Sequence, residues 1–550
     1  MILITGLSYT SSLSAQAPFL KIPSSEVIIE AKKIVADMRV NLRGPYESVQ
    51  WFCSDGSVLA PKSNACDKHG GGKQHAVFSA QRKRLAQLGW HVGTIYTSFK
   101  LSLEENTYVG RKHLRLRELP LEKYLIDIDD GWILHKARSY RGRVQLEDEL
   151  QAGRELLLQI LQDESFINEN FLLLRELVRV IPHHTESDDP TRNIRRQSQL
   201  LAELDKSFEP LRAEIHGQPS QHTINRIKQW IGTKTSIQLQ IQNIANTLIM
   251  ELESLYNVKD RSHKLIKLSK KLEKSDQLVV QTVQKNAQSG TQEERLFHII
   301  NAIVLLRKAL QQSLNATVNL QRLDLMGELE AELLTVARSI QLPASRNEIL
   351  KNVLQLLQAT QALGWLSSGE LNSLATPINK VLLQTTPVSA QVYRQLIRRL
   401  QLVPAWVQGS IKHSFAEALN VYQALDVRST QFVDDLLRSS SLMPLAQITH
   451  HLMLDSAQIS GTTSSFFGNT EDHVWGLNPG IARGKLQIIT SENDAINPAF
   501  NAHDIVVIPN TTSTLFPAAG IITIGEGNPL SHIQILARNL GIPNIVINES

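Results

Sequence analysis

The sequence predicts a multidomain, mainly helical chain with an irregular α+β N-terminal module and a C-terminal α/β domain. Three observations support this. From about Glu147 to Leu437 apolar residues recur at helical spacing in a Leu-, Gln- and Ala-rich background. Beyond about residue 474 the pattern changes to short β-branched runs bounded by Gly, Pro and Asn. Upstream of both, the two cysteines frame a turn-rich stretch that ends in a glycine triplet.

Length and composition agree with this division. The chain has 550 residues, room for three or four domains, and 42% hydrophobic with 20% charged residues is ordinary globular composition. A formal net charge of +4 is too small to imply a nucleic-acid partner or an anionic membrane. No run of eighteen apolar residues occurs, so no membrane span is expected. The expected organisation is an N-terminal extension (1–25), an α+β module (26–146), a helical domain (147–457), a flexible linker (458–473) and an α/β domain (474–550).

Met1 to Ala17 is mildly apolar and ends in small residues, but no Lys or Arg precedes the apolar part and Pro18 follows. A loosely ordered extension on a cytoplasmic protein is preferred to an exported one. Cys53 and Cys66 leave three readings open. With His69 and His75 they supply the ligand types of a zinc site, although not at the spacing of a common finger; a disulfide suits an exported chain, and two buried thiols suit a cytoplasmic one. The metal-free readings are preferred. Gly70-Gly71-Gly72-Lys73 lacks phosphate-loop spacing and reads as a flexible surface turn. Tyr46, Trp51 and Phe52 read as local core before they read as a sugar-binding face.

In the middle region, Leu296, Ile299, Ile300, Ile303, Leu306 and Leu310 form one stripe. Ile349, Leu350, Val353, Leu354 and Leu357 form another, closed by Gly364. Breaks are expected at Pro182-His183-His184, Gly217-Gln218-Pro219, Ser289-Gly290, Pro343, Pro377 and Pro404, giving antiparallel helix pairs. His183-His184, beside Glu186, Asp188 and Asp189, reads as a solvated connection in preference to a metal site. Lys264, Lys267, Lys270 and Lys271 have no interleaved aromatics and read as a solvated face. The small polar run from Ser460 to Thr470 reads as a tether.

Asp504–Ile508, Gly520–Ile524 and Asn544–Ile547 are expected to be buried strands. Between the last two, Gly525-Glu526-Gly527-Asn528-Pro529-Leu530 runs into Ser531-His532 and a short helix that stops at Gly541 and Pro543. Ser531 is a favoured N-cap, and Gln534 completes a Ser-x-x-Gln capping box. His532 thus falls at the first helical position, where unpaired backbone N–H groups and the helix dipole favour an anion.

These residues resemble a known family. Gly480-Ile481-Ala482-Arg483-Gly484, Asp504-Ile505-Val506-Val507, Ile521-Ile522-Thr523, Ser531-His532, Ala537-Arg538 and Gly541-Ile542-Pro543 recur, in this order, in the swivelling phosphohistidine domain of phosphoenolpyruvate-utilising enzymes. Phosphoenolpyruvate synthase, pyruvate phosphate dikinase and the glucan water dikinases are members. The resemblance covers about residues 474–550. It departs from the common Gly-Gly-x-Thr-Ser-His pattern where Asn528 replaces the second Gly and Leu530 the Thr.

The resemblance implies that His532 carries the phosphoryl group, with Ser531 and Arg538 at matching positions and Gly525, Gly527 and Asn528 in the phosphate loop. Glu526 is a candidate to orient the imidazole, although a solvated loop residue is its preferred reading. Arg538 lies six residues after His532, off its helical face, so a structural ion pair stands level with phosphate contact. The implied function is phosphoryl transfer in an ATP-dependent dikinase resembling phosphoenolpyruvate synthase (pyruvate, water dikinase). A glucan or water dikinase, a carrier-only phosphotransferase protein and a noncatalytic regulatory scaffold are the alternatives. ATP and Mg2+ are implied, bound outside this region by an ATP-grasp domain on a C-terminal extension or a partner chain, with a small-molecule or glucan acceptor.

Overall fold

Helices form where aliphatic residues repeat every three to four positions. The computed structural model describes residues 23–41, 43–60, 65–96, 99, 114–128, 146–183, 194, 197–198, 200–202, 204–216, 221–232, 239–256, 265–266, 268–270, 272–339, 345–460, 474–478, 480–488, 501–508, 518–524, 534, 537–538 and 540–547. Most of these residues are helical, with two small sheets. The helix Gln292–Gln312 starts at a complete capping box between Thr291 and Glu294 and buries the whole expected stripe from Leu296 to Leu310. Each such Leu or Ile contributes about 1.5–3 kcal/mol through burial. The helix Arg346–Ala362 buries Ile349, Leu350, Val353 and Leu357, and the chain leaves it through Gly364 at φ +82°.

Two of the expected proline breaks behave differently from each other. Pro404 opens the helix Val403–Gln423 at its first turn, where a missing N–H costs nothing. Pro377 does not break its helix: Ser368–Leu382 runs through it. Leu374, Ile378 and Val381 anchor that helix to the core, while Ser373, whose carbonyl loses its partner to the proline, is exposed to water.

The N-terminal segment is not walled off from the helices. The helix Ser25–Val40 contributes Ala31, Ile34, Val35 and Met38 to a core that extends to Leu452. Trp90 Nε1 donates to the Val421 carbonyl at 2.6 Å, and the Tyr422 hydroxyl donates to the His91 carbonyl. Beside this seam, β1 (Tyr46–Cys53) lies between β2 (Val58–Leu59) and β3 (Gly72–Phe78), antiparallel to both. Tyr46 is core, stacked on Phe78 and donating to the Gly93 carbonyl, whereas Phe52 is exposed.

Cys53 and Cys66 form a disulfide. This removes the zinc alternative, because a disulfide offers no thiolate to a metal. His69 is committed elsewhere: its Nδ1 lies 2.7 Å from Asp55 Oδ2 and 3.3 Å from Ser57 Oγ. The side chain of His75 falls outside the described residues. Both neighbours meet the same ring nitrogen, so the trio braces the turn and is not built as a nucleophile relay. Ser57 and His69 hold the Asp55 carboxyl down to about 2. The glycine triplet is part of the same tight connection: Gly70 and Gly71 take φ of +76° and +82°, and Gly72 pairs with Cys53.

His183 is a further correction to the reading of a solvated connection. It is buried, with Nδ1 2.7 Å from the Ile181 carbonyl and Nε2 2.9 Å from Asp324 Oδ1, so it ties the end of one helix to the helix Ala316–Ser339. Its neighbours His184, Glu186, Asp188 and Asp189 lie outside the described residues, as do Lys264, Lys267 and Lys271. The helix Leu442–Ile459 occupies position 458, the expected start of the linker, and Ser460 is its C-cap; residues 461–473 are outside the described set. No helix among the described residues is long and apolar enough to cross a membrane.

Candidate functional site

The C-terminal segment forms a five-stranded sheet in the order β4-β8-β7-β6-β5. These strands are β4 (Val474–Asn478), β5 (Leu486–Ile488), β6 (Ile505–Ile508), β7 (Gly520–Ile524) and β8 (Asn544–Ile547). β5, β6, β7 and β8 run parallel, and β4 closes the edge antiparallel to β8. The aliphatic runs produce this layout: parallel strands are covered by crossover segments and therefore read as continuous Val and Ile. Asp504 stays just outside β6, where its carboxylate accepts the Asn501 N–H.

The glycines of the first motif are explained by close approach. A Cβ on Gly484 would overlap the His503 carbonyl, and one on Gly480 would press into the Pro543 ring. The Gly480–Gly484 motif is thereby locked against the Gly541-Ile542-Pro543 motif and the entry to β6. Asn478 adds to this closure, its Nδ2 donating to the Ile542 carbonyl at 2.6 Å and to the Ala537 carbonyl at 3.3 Å.

One face of the sheet packs Val506, Ile508 and Ile521 against Ala537 and Ile542. Residues 534, 537 and 538 are helical and lie between β7 and β8 in sequence, as expected. Gln534 departs from expectation. In place of reaching back to cap the helix with Ser531, its side chain is buried at 3% exposure, and its amide is engaged by Asn544 and Thr523. Sequence reasoning missed this. The signal was available in two polar residues, Thr523 and Asn544, set within strands of Ile and Val.

Of the residues assigned by resemblance, Arg538 is described. It is half-buried, and burial lowers its guanidinium from the usual range, with the Asp434 carboxylate acting in the opposite sense. Asp434 belongs to the helix Phe432–Arg438, is itself buried, and accepts from Gln408 Nε2 at 2.8 Å. Arg538 therefore has a helical-body carboxylate in its electrostatic surroundings. His532, Ser531, Gly525, Glu526, Gly527 and Asn528 lie outside the described residues.

Comparison with known proteins supports the resemblance over a limited length. One stretch of 83 residues, 14% of this chain, is 37% identical to an uncharacterized phosphotransferase, YvkC, of Bacillus subtilis. A stretch of 74 residues, 13% of the chain, is 38% identical to a probable phosphoenolpyruvate synthase of Archaeoglobus fulgidus. The chain spans about a tenth of the length of each of these curated relatives. No protein-family model matches the chain. No solved structure matches it.

Proposed function

We propose that this chain transfers phosphoryl groups through a phosphohistidine at His532, as part of an ATP-dependent dikinase of the phosphoenolpyruvate synthase type. The observation that carries the reading is the similarity, at 37% and 38% identity, to proteins named as a phosphotransferase and a probable phosphoenolpyruvate synthase. The parallel sheet with helical residues after β7 is the setting such a histidine needs.

In the proposed step a ring nitrogen of neutral His532 attacks a phosphoryl group. The P–N bond forms at the β-phosphorus, the P–O bond to the nucleoside monophosphate breaks with the electron pair on the leaving oxygen, the ring N–H proton passes to solvent, and the γ-phosphoryl carried over is released to water. Transfer to the acceptor reverses the sequence and restores the imidazole. Backbone N–H groups after Ser531, the Ser531 hydroxyl and Arg538 stabilise the transferred charge, and Glu526 is a candidate to orient the second ring nitrogen. ATP and Mg2+ belong to an ATP-grasp domain elsewhere. Among the described residues no group of three His, Cys, Asp or Glu is placed to hold a metal ion.

The test is chemical. Phosphohistidine is a phosphoramidate, so protein incubated with ATP labelled at the β position and its nucleotide-binding partner should gain a label that survives base and is lost in mild acid. His532→Ala should abolish it without unfolding the chain. Equal labelling of parent and variant would remove the phosphohistidine assignment.

A further inference from the structure

The knuckle closed by Cys53 and Cys66 is held together unlike the helical body beside it. The two cysteines are separated by 13 positions and join the end of β1 to the turn that leads into β3. Among the described side chains from Ser54 to Gly72, Cys66 alone is buried, at 2% exposure, and Cys53 next to them is 7% exposed. Neither sulfur joins a hydrophobic core. The large helical core does not include them, and the small cluster at the other end of the sheet consists of Tyr46, Ile95 and Phe78. The bridge packs on backbone instead: a Cβ on Gly72 would fall 2.6 Å from Cys66 Sγ and 2.6 Å from the Phe52 carbonyl oxygen.

Without that bond, what holds the knuckle is local and polar. The Ser54 N–H donates to the Gly71 carbonyl at 2.9 Å, and the His69 and Gly71 N–H groups donate to the Cys66 carbonyl at 2.8 and 3.0 Å. The contact between Asp55 and His69 is at the surface, where such a pair adds little. β2 is two residues long, and its Val58 and the facing Phe52 are both exposed. These hydrogen bonds replace bonds to water at small net gain, so the conformational entropy of the segment is opposed chiefly by the covalent tie. The module is docked elsewhere, by the helix Ser25–Val40, by Trp90 on the Val421 carbonyl and by Tyr422 on the His91 carbonyl. Opening the knuckle breaks none of those contacts.

We propose that Cys53–Cys66 is a reversible redox latch: oxidised, it orders residues 54–60 and 65–71 and holds β2 on β1, and reduced, it releases them while the helical body stays folded. The inference is independent of the phosphohistidine reading. The reductant is a dithiol. One of its thiolates attacks a sulfur of the bridge, and the S–S bond breaks with its electron pair on the other cysteine. The second thiol of the reductant then resolves the mixed disulfide, so the reductant leaves as its own disulfide and two protons end on Cys53 and Cys66. Both sulfurs are buried, so the knuckle must open before attack. With no apolar core to break there, that opening is local.

The test treats full-length protein with dithiothreitol at neutral pH, alkylates it with iodoacetamide, and compares it with the oxidised form by mass spectrometry and hydrogen exchange. Both cysteines should alkylate under native conditions. Exchange at the Ser54, His69 and Gly71 amides should rise about a hundredfold, the scale of the entropy that a ring of this length removes. The helix Gln292–Gln312 should keep its protection, and reoxidation should restore the slow exchange. The double variant Cys53→Ser/Cys66→Ser should exchange fast at the same amides and ignore dithiothreitol. Alkylation only after global unfolding would make the bridge a fixed staple and overturn the latch. So would unchanged exchange at the three amides in reduced protein, or loss of protection in the helix Gln292–Gln312 on reduction. No phosphoryl label is read, so each outcome leaves the phosphohistidine assignment to its own test.

Discussion

The helical body and the C-terminal sheet solve the problem of specifying a structure differently. The body is held by aliphatic stripes in a large core that runs from Ala31 to Leu452 and a separate one around Leu201, Phe208, Ile224 and Leu248, and buried Arg322 is paired with Asp276 and Glu273. Among the described residues the C-terminal core is Val506, Ile508, Ile521, Ala537 and Ile542. There, close glycine contacts at Gly480 and Gly484 and polar links through Asn478 and Gln534 add to the specification. Single substitutions in the body should therefore act through stability, and those in the sheet through geometry.

The largest expected effect tests the first half of that contrast. Leu306 is fully buried in the helix Gln292–Gln312, so Leu306→Ala should cost about 2–5 kcal/mol through lost transfer energy and an unfilled cavity. Chemical denaturation would measure it. A cost under 1 kcal/mol would mean that the stripe is not what holds the body.

A second effect concerns pH. Burial, with His451 beside it, lowers the His450 imidazole from 6.5 to about 4. The unfolded chain therefore binds a proton that the folded chain rejects. The contribution of this group to stability is complete above pH 6.5 and is lost as pH falls toward 4, by about 3 kcal/mol. His450→Phe should flatten the stability profile in that window, and an unchanged profile would refute the assignment.

The smallest expected effect belongs to the sheet. Gly484→Val should cost about 1–3 kcal/mol as the chain shifts away from the His503 carbonyl. Hydrogen exchange should show faster opening of β5 and β6 with the body unaffected. Uniform loss of protection across body and sheet would erase the distinction between them.

Much of this was legible in the sequence. The stripe from Leu296 to Leu310 appears in its helix residue for residue, because 3.6-residue periodicity is a local property. β7 and β8 were bounded by the Gly and Asn that start them, and the expected run from Asp504 matches β6 except for Asp504 itself. β4 and β5 were not anticipated. Val474–Asn478 and Leu486–Ile488 are short, and they become strands through pairing with β8 and β6, partners distant in sequence. Pro377 was read as a break because its cost is local, whereas the packing that outweighs it is not.

By itself, then, the sequence determined the helical periods, the three central strands of the sheet and the order of the motifs around His532, since each is written in residues a few positions apart. The tertiary structure alone decided three things: that Cys53 and Cys66 bond to each other, that His183 is spent on Asp324, and that Gln534 turns inward to Thr523 and Asn544 in place of capping its own helix. Each of these side chains had more than one satisfactory partner within reach of its chemistry. Which partner it took depended on where distant strands and helices came to rest, and no local pattern records that.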